Sequence, residues 1–473
     1  MTGTSYQEVM SRKVEIMKRA LGLDYGEFER GGIVFDYEEM MRKAGYSLEE
    51  VRAIQAETNV GNTPLIELKN LTAAARALAP KGKGARIFLK DEACNPSGSF
   101  KDRRASVSCY YAKKRGYEGV IAATSGNYGA AVASQANMRN LKCIILQELF
   151  DSRFVGQPEI LEKGRKCEAY GAEVLQMTVG PELFYNFLLV LEETGFFNAS
   201  LYTPFGIAGI ETLGSEIVDQ FMQRERRHPD AVVVTNAGGG NLTGTARGLR
   251  KAGAKDTSVI GASVDLSGLH VASDRDFNRK SFTTGHTGFG IPFTTWPDRS
   301  DVPRNAARPL RYMDRYVTIT QGEVFYMTEA LSVIEGLDRG PAGNTSLTAA
   351  FAIAQEMDRD KTIVVQETEY TGAGKHVTAQ LTFARENGIE IRRGDPKEQI
   401  PGKNIVIPVD PSMIRAKDLS LDDLRVSYLH NAMKNRPAAS PEQLSDIETR
   451  YLAEELGIAT SALEPLLLRA RRA

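Results

Sequence analysis

The chain is poor in the residues that metal centres and disulfide frameworks are built from: its 473 residues include four cysteines and five histidines. Cys94, Cys109, Cys143 and Cys167 show no CxxC spacing, which excludes a disulfide scaffold and a zinc ribbon. His228, His270, His286, His376 and His430 lack ligand spacing, so no metal is expected. Neither sign of charge dominates. With 59 Lys+Arg against 60 Asp+Glu the net charge is -1, which argues against a nucleic-acid partner held by bulk positive charge. No apolar run approaches the ~20 residues that span a bilayer, and no membrane partner is expected. The polar start from Met1 to Glu8 has no apolar signal segment. Hydrophobic residues at 42% and charged residues at 25% exclude a disordered chain. The expectation is a cytoplasmic, core-forming protein of two to four units, at roughly 100–200 residues each.

Residues 1–59 read as a helical extension. Apolar residues recur at three- and four-residue steps from Val9 to Leu21, and again from Tyr37 to Ala44 before Gly45. From residue 60 to about 390 short β-branched runs alternate with helical segments. The runs are 86–90, 119–123, 142–146, 172–176, 231–235, 258–262 and 362–365. Such alternation is the pattern of an α/β fold with parallel sheets covered by helices on both faces. Two open α/β units with a ligand in their cleft are expected. After Gly388 the rhythm is lost. Residues 391–473 read as a C-terminal extension, loop at first, then helical at 419–424 and 441–456, with a basic end at Arg469–Arg472.

Three polar loops follow successive strands. In the first, 95–103, Lys101 stands after turn formers and before a helix; alone it reads as an exposed charge, but a desolvated amine there would form a Schiff base. In the second, Thr124, Ser125, Gly126 and Asn127 open a helix and suit a carboxylate, where the plain alternative is an ordinary helix cap. In the third, Gly238, Gly239, Gly240 and Asn241 let backbone approach a phosphate with a helix dipole behind it. The third loop is neither GxxxxGK[ST] nor GxGxxG, and 371–375 also fails as a nucleotide loop because Glu369 stands where its first glycine should be. A lysine, a carboxylate cradle and a phosphate cup together describe pyridoxal phosphate with an amino-acid substrate.

In that order, SGSFKDR, TSGN and GGGN resemble the fold-type II pyridoxal-phosphate enzymes, the threonine synthase and O-acetylserine sulfhydrylase group. Residues 169–174 and the stretch from Thr203 to Gly214 resemble that group's small domain, which would be inserted at about 103–205. The resemblance implies that Lys101 forms the Schiff-base linkage to pyridoxal 5'-phosphate. It implies that Gly238–Asn241 hold the phosphate, that Thr124–Asn127 bind the substrate carboxylate, and that Asn127 also lies near the cofactor ring. Two departures stand out. The family's strand near the pyridine nitrogen usually ends in Ser or Thr before Gly, whereas this one runs into Gln366, Glu367, Thr368 and Glu369. Thr368 is the expected nitrogen partner and Glu367 the alternative. Arg104 stands where threonine synthases commonly have Gly.

Both extensions and the blocks 6–29, 57–65 and 366–375 make the whole chain most similar to the family of 2-amino-4-oxopentanoate thiolase β subunits. That resemblance implies an acyltransferase of ornithine degradation, working with a small α subunit and as a dimer of this chain. It would convert 2-amino-4-oxopentanoate and coenzyme A into acetyl-CoA and D-alanine through negative charge on Cβ, an enamine. No cysteine nucleophile is needed, and Cys94 reads as a small loop or strand residue. His286, in a glycine-rich loop, reads as a surface residue rather than a cleft residue, and nothing locates the coenzyme A phosphates. Two rivals are a threonine synthase-like β-replacement or elimination enzyme, and a non-catalytic sensor on the same fold. Retention of Lys101 speaks against the sensor.

Overall fold

Aliphatic runs without polar alternation require strands covered on both faces. The structure, a computed structural model, describes residues 3–124, 126–180, 182–266, 268–269, 279–285, 308–370, 372–434, 436 and 443–472. It builds all seven such runs into two sheets. The larger has seven strands in the order Leu65–Glu67, Arg86–Asp91, Thr362–Glu367, Ala231–Thr235, Ser258–Val264, Arg315–Ile319 and Lys417–Asp418. Its five central strands are mutually parallel, and the two short edge strands run antiparallel. The smaller sheet is all parallel, in the order Glu173–Thr178, Lys142–Phe150, Gly119–Thr124 and Phe197–Asn198.

Both faces of the large sheet carry core. Phe88, Val232, Val234 and Val364 point into one apolar cluster. Their chain neighbours Ile87, Leu89, Val233, Ile363 and Val365 point into another, as a two-residue period dictates. The first cluster is closed by the helices Pro204–Glu225 and Gly240–Lys251, the second by Pro341–Ala354. Among the described residues no helix is long and apolar enough to cross a membrane.

The N-terminal helices Tyr6–Ser11, Lys13–Leu21, Tyr37–Ala44 and Leu48–Ala56 start on side-chain caps at Ser5, Asp36 and Ser47, with Lys13–Leu21 following directly on the first. Ile16, Met17, Ala20 and Leu21 pack into the core of the small sheet. At the other end, helices Leu421–Lys434, Asp446–Leu456 and Leu463–Arg472 put Leu424, Leu429, Leu452, Leu456 and Leu467 into the first cluster of the large sheet.

The C-terminal region is more ordered than its sequence rhythm. Glu390–Arg393 and Asn404–Ile407 form a two-stranded parallel sheet, so a division at 390/391 falls inside a strand. Lys417–Asp418 then adds an edge to the main sheet. These strands have only two to four residues, too short for a two-residue period to register.

Strands Arg86–Asp91, Thr362–Glu367 and Ala231–Thr235 are adjacent and parallel, with Glu367 beside Asp91 and Val365 beside Val233. Their C-terminal ends therefore open on one edge of the sheet, and the segments that follow converge there.

Candidate active site

The loop after Arg86–Asp91 is set by its polar side chains. Gly98 turns it at a φ of 81°. The Asp102 carboxylate accepts from the Ser97 N–H at 2.8 Å and from the Ser97 hydroxyl at 2.7 Å. Strand-like pairing ties the loop to the end of the neighbouring strand: the Phe100 N–H donates to the Thr368 carbonyl at 3.0 Å and the Tyr370 N–H to the Gly98 carbonyl at 2.8 Å. Lys101 opens the helix Lys101–Lys114. Beneath it Arg103 is fully buried and pairs with Glu92 at 2.7 Å and Glu216 at 2.8 Å. Removing one member would strand a buried charge, so this network holds the loop in a single geometry.

Lys101 lines a cleft between the two sheets. Burial pulls its amine down to about 8, with the charges of Lys375 and Arg104 acting in the same direction and Glu369 and Glu159 opposing. An ordinary lysine is almost wholly protonated at neutral pH, whereas this one is poised to be a base or nucleophile.

Beside it lies an ionic cluster. Lys375 pairs with Glu369 and, at 2.8 Å, with Glu159; all three are buried. Burial would lower Lys375, but the two carboxylates outweigh it and hold the ammonium above its usual range. Burial would raise Glu369, but Lys375, Lys101 and Lys163 outweigh that and keep it ionised. The Asn127 amide donates to Glu369, which fixes its orientation toward the cleft.

The glycine loop follows strand Ala231–Thr235 and opens helix Gly240–Lys251. A side chain at any of its glycines would crowd a neighbour. A Cβ on Gly238 would lie 1.6 Å from the Tyr202 hydroxyl, one on Gly240 2.5 Å from an Arg104 nitrogen, and Gly239 has a φ of 85° with Pro309 behind it. The loop thus turns bare backbone and the helix N-terminus toward the cleft. Asn241 donates instead to Gln366, whose amide donates to Thr245 at 2.8 Å, so part of its side chain braces the strand end.

The cleft gathers Lys101, Thr124, Gly126, Asn127, Gly238, Gly239, Gly240, Asn241 and Thr368 from both sheets. Ser125 lies outside the described residues, as do His270, His286 and Trp296. The Thr124 hydroxyl is occupied by its own turn, accepting from the Gly126 N–H at 2.9 Å and the Gly129 N–H at 3.1 Å. Of the two candidates at the end of strand Thr362–Glu367, Thr368 lines the cleft and Glu367 does not. Glu367 turns into the packing against helix Pro341–Ala354, where a Cβ on Gly343 would meet its carboxyl oxygen at 1.7 Å. Burial, reinforced by Glu369, pushes its pKa well up.

Glu159, Lys163, Glu369, Lys375 and Tyr202 were not singled out by sequence reasoning. Glu159, Lys163 and Lys166 lie on one face of helix Pro158–Ala169 at four- and three-residue steps, a signal present in the sequence that reads equally as a solvated face. Nothing local marks Glu369 or Lys375. Cys94 does not line the cleft, and burial together with Asp91 raises its thiol pKa, so it is no activated nucleophile. Among the described residues no group of His, Cys, Asp and Glu is placed to hold a metal.

Comparison with known proteins agrees with this geometry. The chain is 67% identical over 452 residues to a 2-amino-4-ketopentanoate thiolase beta subunit from an unknown prokaryotic organism, covering 96% of this chain and 95% of that one. It is 66% identical over 451 residues to the protein of the same name from Acetoanaerobium sticklandii, covering 95% of each. A threonine synthase from Methanocaldococcus jannaschii is more distant, at 28% over 365 residues, 70% of this chain and 84% of that one. The crystal structure of O-ureido-L-serine synthase shares the fold, with a TM-score of 0.52 and 21% identity over 67% of this chain and 91% of that one. Residues 56–369 match the family model described as pyridoxal-phosphate dependent enzyme. They include the lysine loop, the 124–127 loop and the glycine loop, and the chain belongs to the pyridoxal-phosphate-dependent enzyme family.

Proposed function

We propose that this chain is the pyridoxal-phosphate-binding β subunit of a 2-amino-4-oxopentanoate (2-amino-4-ketopentanoate) thiolase, acting with a small α subunit in a cytoplasmic hetero-oligomer built on a dimer of this chain. The observation that carries the reading is 67% identity across 96% of the chain, a span too long to omit either terminal extension. In the proposed reaction, a step of ornithine degradation, the bond between Cβ and the acetyl carbonyl of the substrate breaks. The carbonyl carbon joins the sulfur of coenzyme A, and Cβ takes up a proton, giving acetyl-CoA and D-alanine.

The residues fit the cofactor on their own geometry. A depressed lysine amine and a glycine cradle whose Cβ positions are already crowded line one cleft, which Thr368 closes. Lys101 would hold the aldehyde carbon, Gly238–Asn241 the phosphate and Thr368 the pyridine nitrogen, a hydroxyl rather than the Glu367 carboxylate. When bound, pyridoxal phosphate supplies an electron sink conjugated to the substrate's amino nitrogen. Lys101 Nζ, near neutrality at about pH 8, takes the proton from substrate Cα and returns it. The 124–127 segment, with its backbone N–H groups at the start of helix Asn127–Met138, binds the substrate carboxylate. Glu369 orients Asn127 and tempers the charge around Lys101.

The test is to combine the chain, loaded with pyridoxal phosphate, with its α subunit, 2-amino-4-oxopentanoate and coenzyme A. Acetyl-CoA and D-alanine formed in equal amounts are expected. Turnover of an amino acid bearing a leaving group, with no thiolysis, would transfer the reading to β-replacement or elimination.

A further inference from the structure

Among the described residues Arg104 is a buried cation without a carboxylate partner. It is 3% exposed and lies three residues after Lys101, on the same face of the helix Lys101–Lys114. The other deeply buried arginines have carboxylate partners: Arg103 has Glu92 and Glu216, Arg247 has Glu211, and Arg308 has Glu455. Among the described residues Arg104 has none. One nitrogen donates to the Leu201 carbonyl at 2.9 Å, Nε is buried without a partner, and the guanidinium sits 5.7 Å and 5.8 Å from the ring centroids of Phe100 and Tyr202. Burial without a carboxylate pulls its pKa below the usual arginine range.

Its position explains why the charge is tolerated. Arg104 lines the cleft, and its Nη2 lies 2.5 Å from where a Cβ on Gly240 would be, so the guanidinium abuts the glycine cradle. Gly240 opens a helix of twelve residues whose first N–H groups face the same space. A dianion seated there would meet a helix N-terminus and a planar guanidinium together, the pairing best suited to a phosphate monoester. We propose that Arg104 is the charge partner of the cofactor's phosphate, closing with one permanent cation a cup otherwise made of neutral backbone donors. This inference rests on the pyridoxal-phosphate reading of the cleft.

The experiment compares binding of pyridoxal phosphate and of pyridoxal, which carries the same aldehyde without the phosphate, to the wild-type chain, Arg104→Gln and Arg104→Lys. Binding is read from the cofactor's absorbance and by borohydride capture on Lys101, with the α subunit present throughout. Loss of a charge-assisted contact should weaken pyridoxal phosphate about ten- to a hundredfold in Arg104→Gln, with partial recovery in Arg104→Lys. Pyridoxal affinity should stay within twofold. Undiminished pyridoxal phosphate affinity in Arg104→Gln would overturn the proposal, as would equal weakening of both ligands. If Arg104→Gln does not fold, Arg104→Lys and the wild type decide: the phosphorus NMR signal of bound cofactor should shift between them, and an unchanged signal overturns the proposal. Failure of the wild type to capture pyridoxal phosphate on Lys101 would instead remove the reading beneath it.

Discussion

At the scale of single residues the chemistry depends on how Lys101 is surrounded. Its amine is held near 8 rather than 10.5 mainly by burial, and the neutral form is the nucleophile. The rate of covalent attachment of pyridoxal phosphate should therefore rise with pH through about 8 and level off above it; stopped-flow absorbance across pH 6–10.5 measures this. A rate still climbing at pH 10 would mean the lysine is solvated. Lys101→Ala should bind the cofactor without a borohydride-stable link and lose at least about a hundredfold in turnover. Glu369 acts in the opposite sense to burial, raising the Lys101 pKa. Glu369→Gln should thus move the midpoint of the attachment profile below 8, while an unchanged midpoint would show that its charge does not reach the amine.

Secondary-structure elements do the aiming. Gly239 caps the helix Gly240–Lys251 at a positive φ with Pro309 packed behind it. An alanine there meets both the left-handed backbone penalty of about 1–2 kcal/mol and a contact of 2.7 Å. Gly239→Ala should lower the melting temperature and weaken cofactor binding together, both read on one purified sample. The same helix is tied to both ends of the chain. Arg247 pairs with Glu38 of the N-terminal extension at 2.6 Å, and Thr243 accepts from the Arg308 N–H at 2.8 Å. The Arg308 guanidinium packs on Tyr37 at 4.1 Å and pairs with Glu455 of the C-terminal extension at 2.7 Å. The extensions are therefore structural braces for the glycine loop.

For the whole molecule, the extensions complete the core. Leu452 is fully buried against the large sheet's first cluster. Leu452→Ala should cost about 2–5 kcal/mol of stability, measured by denaturant unfolding. A cost below 1 kcal/mol would mean that the C-terminal helices are not part of the cooperative unit. The assembled enzyme also offers a test of the proposed chemistry that needs no coenzyme A. In heavy water, the chain with its cofactor and α subunit should exchange hydrogen at both Cα and the methyl group of D-alanine, followed by NMR, with L-alanine as the control. Exchange at Cα alone would undercut a route that places charge on Cβ.

Seven strands of the two main sheets, the lysine and glycine loops and the helical character of both ends were legible in local pattern, whereas Leu65–Glu67, Phe197–Asn198 and the central strand Arg315–Ile319 were not among the runs read. Buried parallel strands are continuous apolar runs, and phosphate- and carboxylate-binding turns need glycine and small polar residues in a fixed order. The short strands at 390–393, 404–407 and 417–418 were not legible either, because two to four residues carry no period. The choice between Thr368 and Glu367 also lay beyond the sequence. Successive residues at a strand end face opposite ways, and only the packing of Gly343 against Glu367 decides which of them looks into the cleft. Glu159, Glu369 and Lys375 form one cluster although Glu159 is more than two hundred positions from the other two. Arg104 is the sharpest case. Its place after Lys101 is plain in the sequence, but that it is buried, without a carboxylate partner among the described residues and pressed against a glycine cradle is known only once the strands are adjacent and their loops meet.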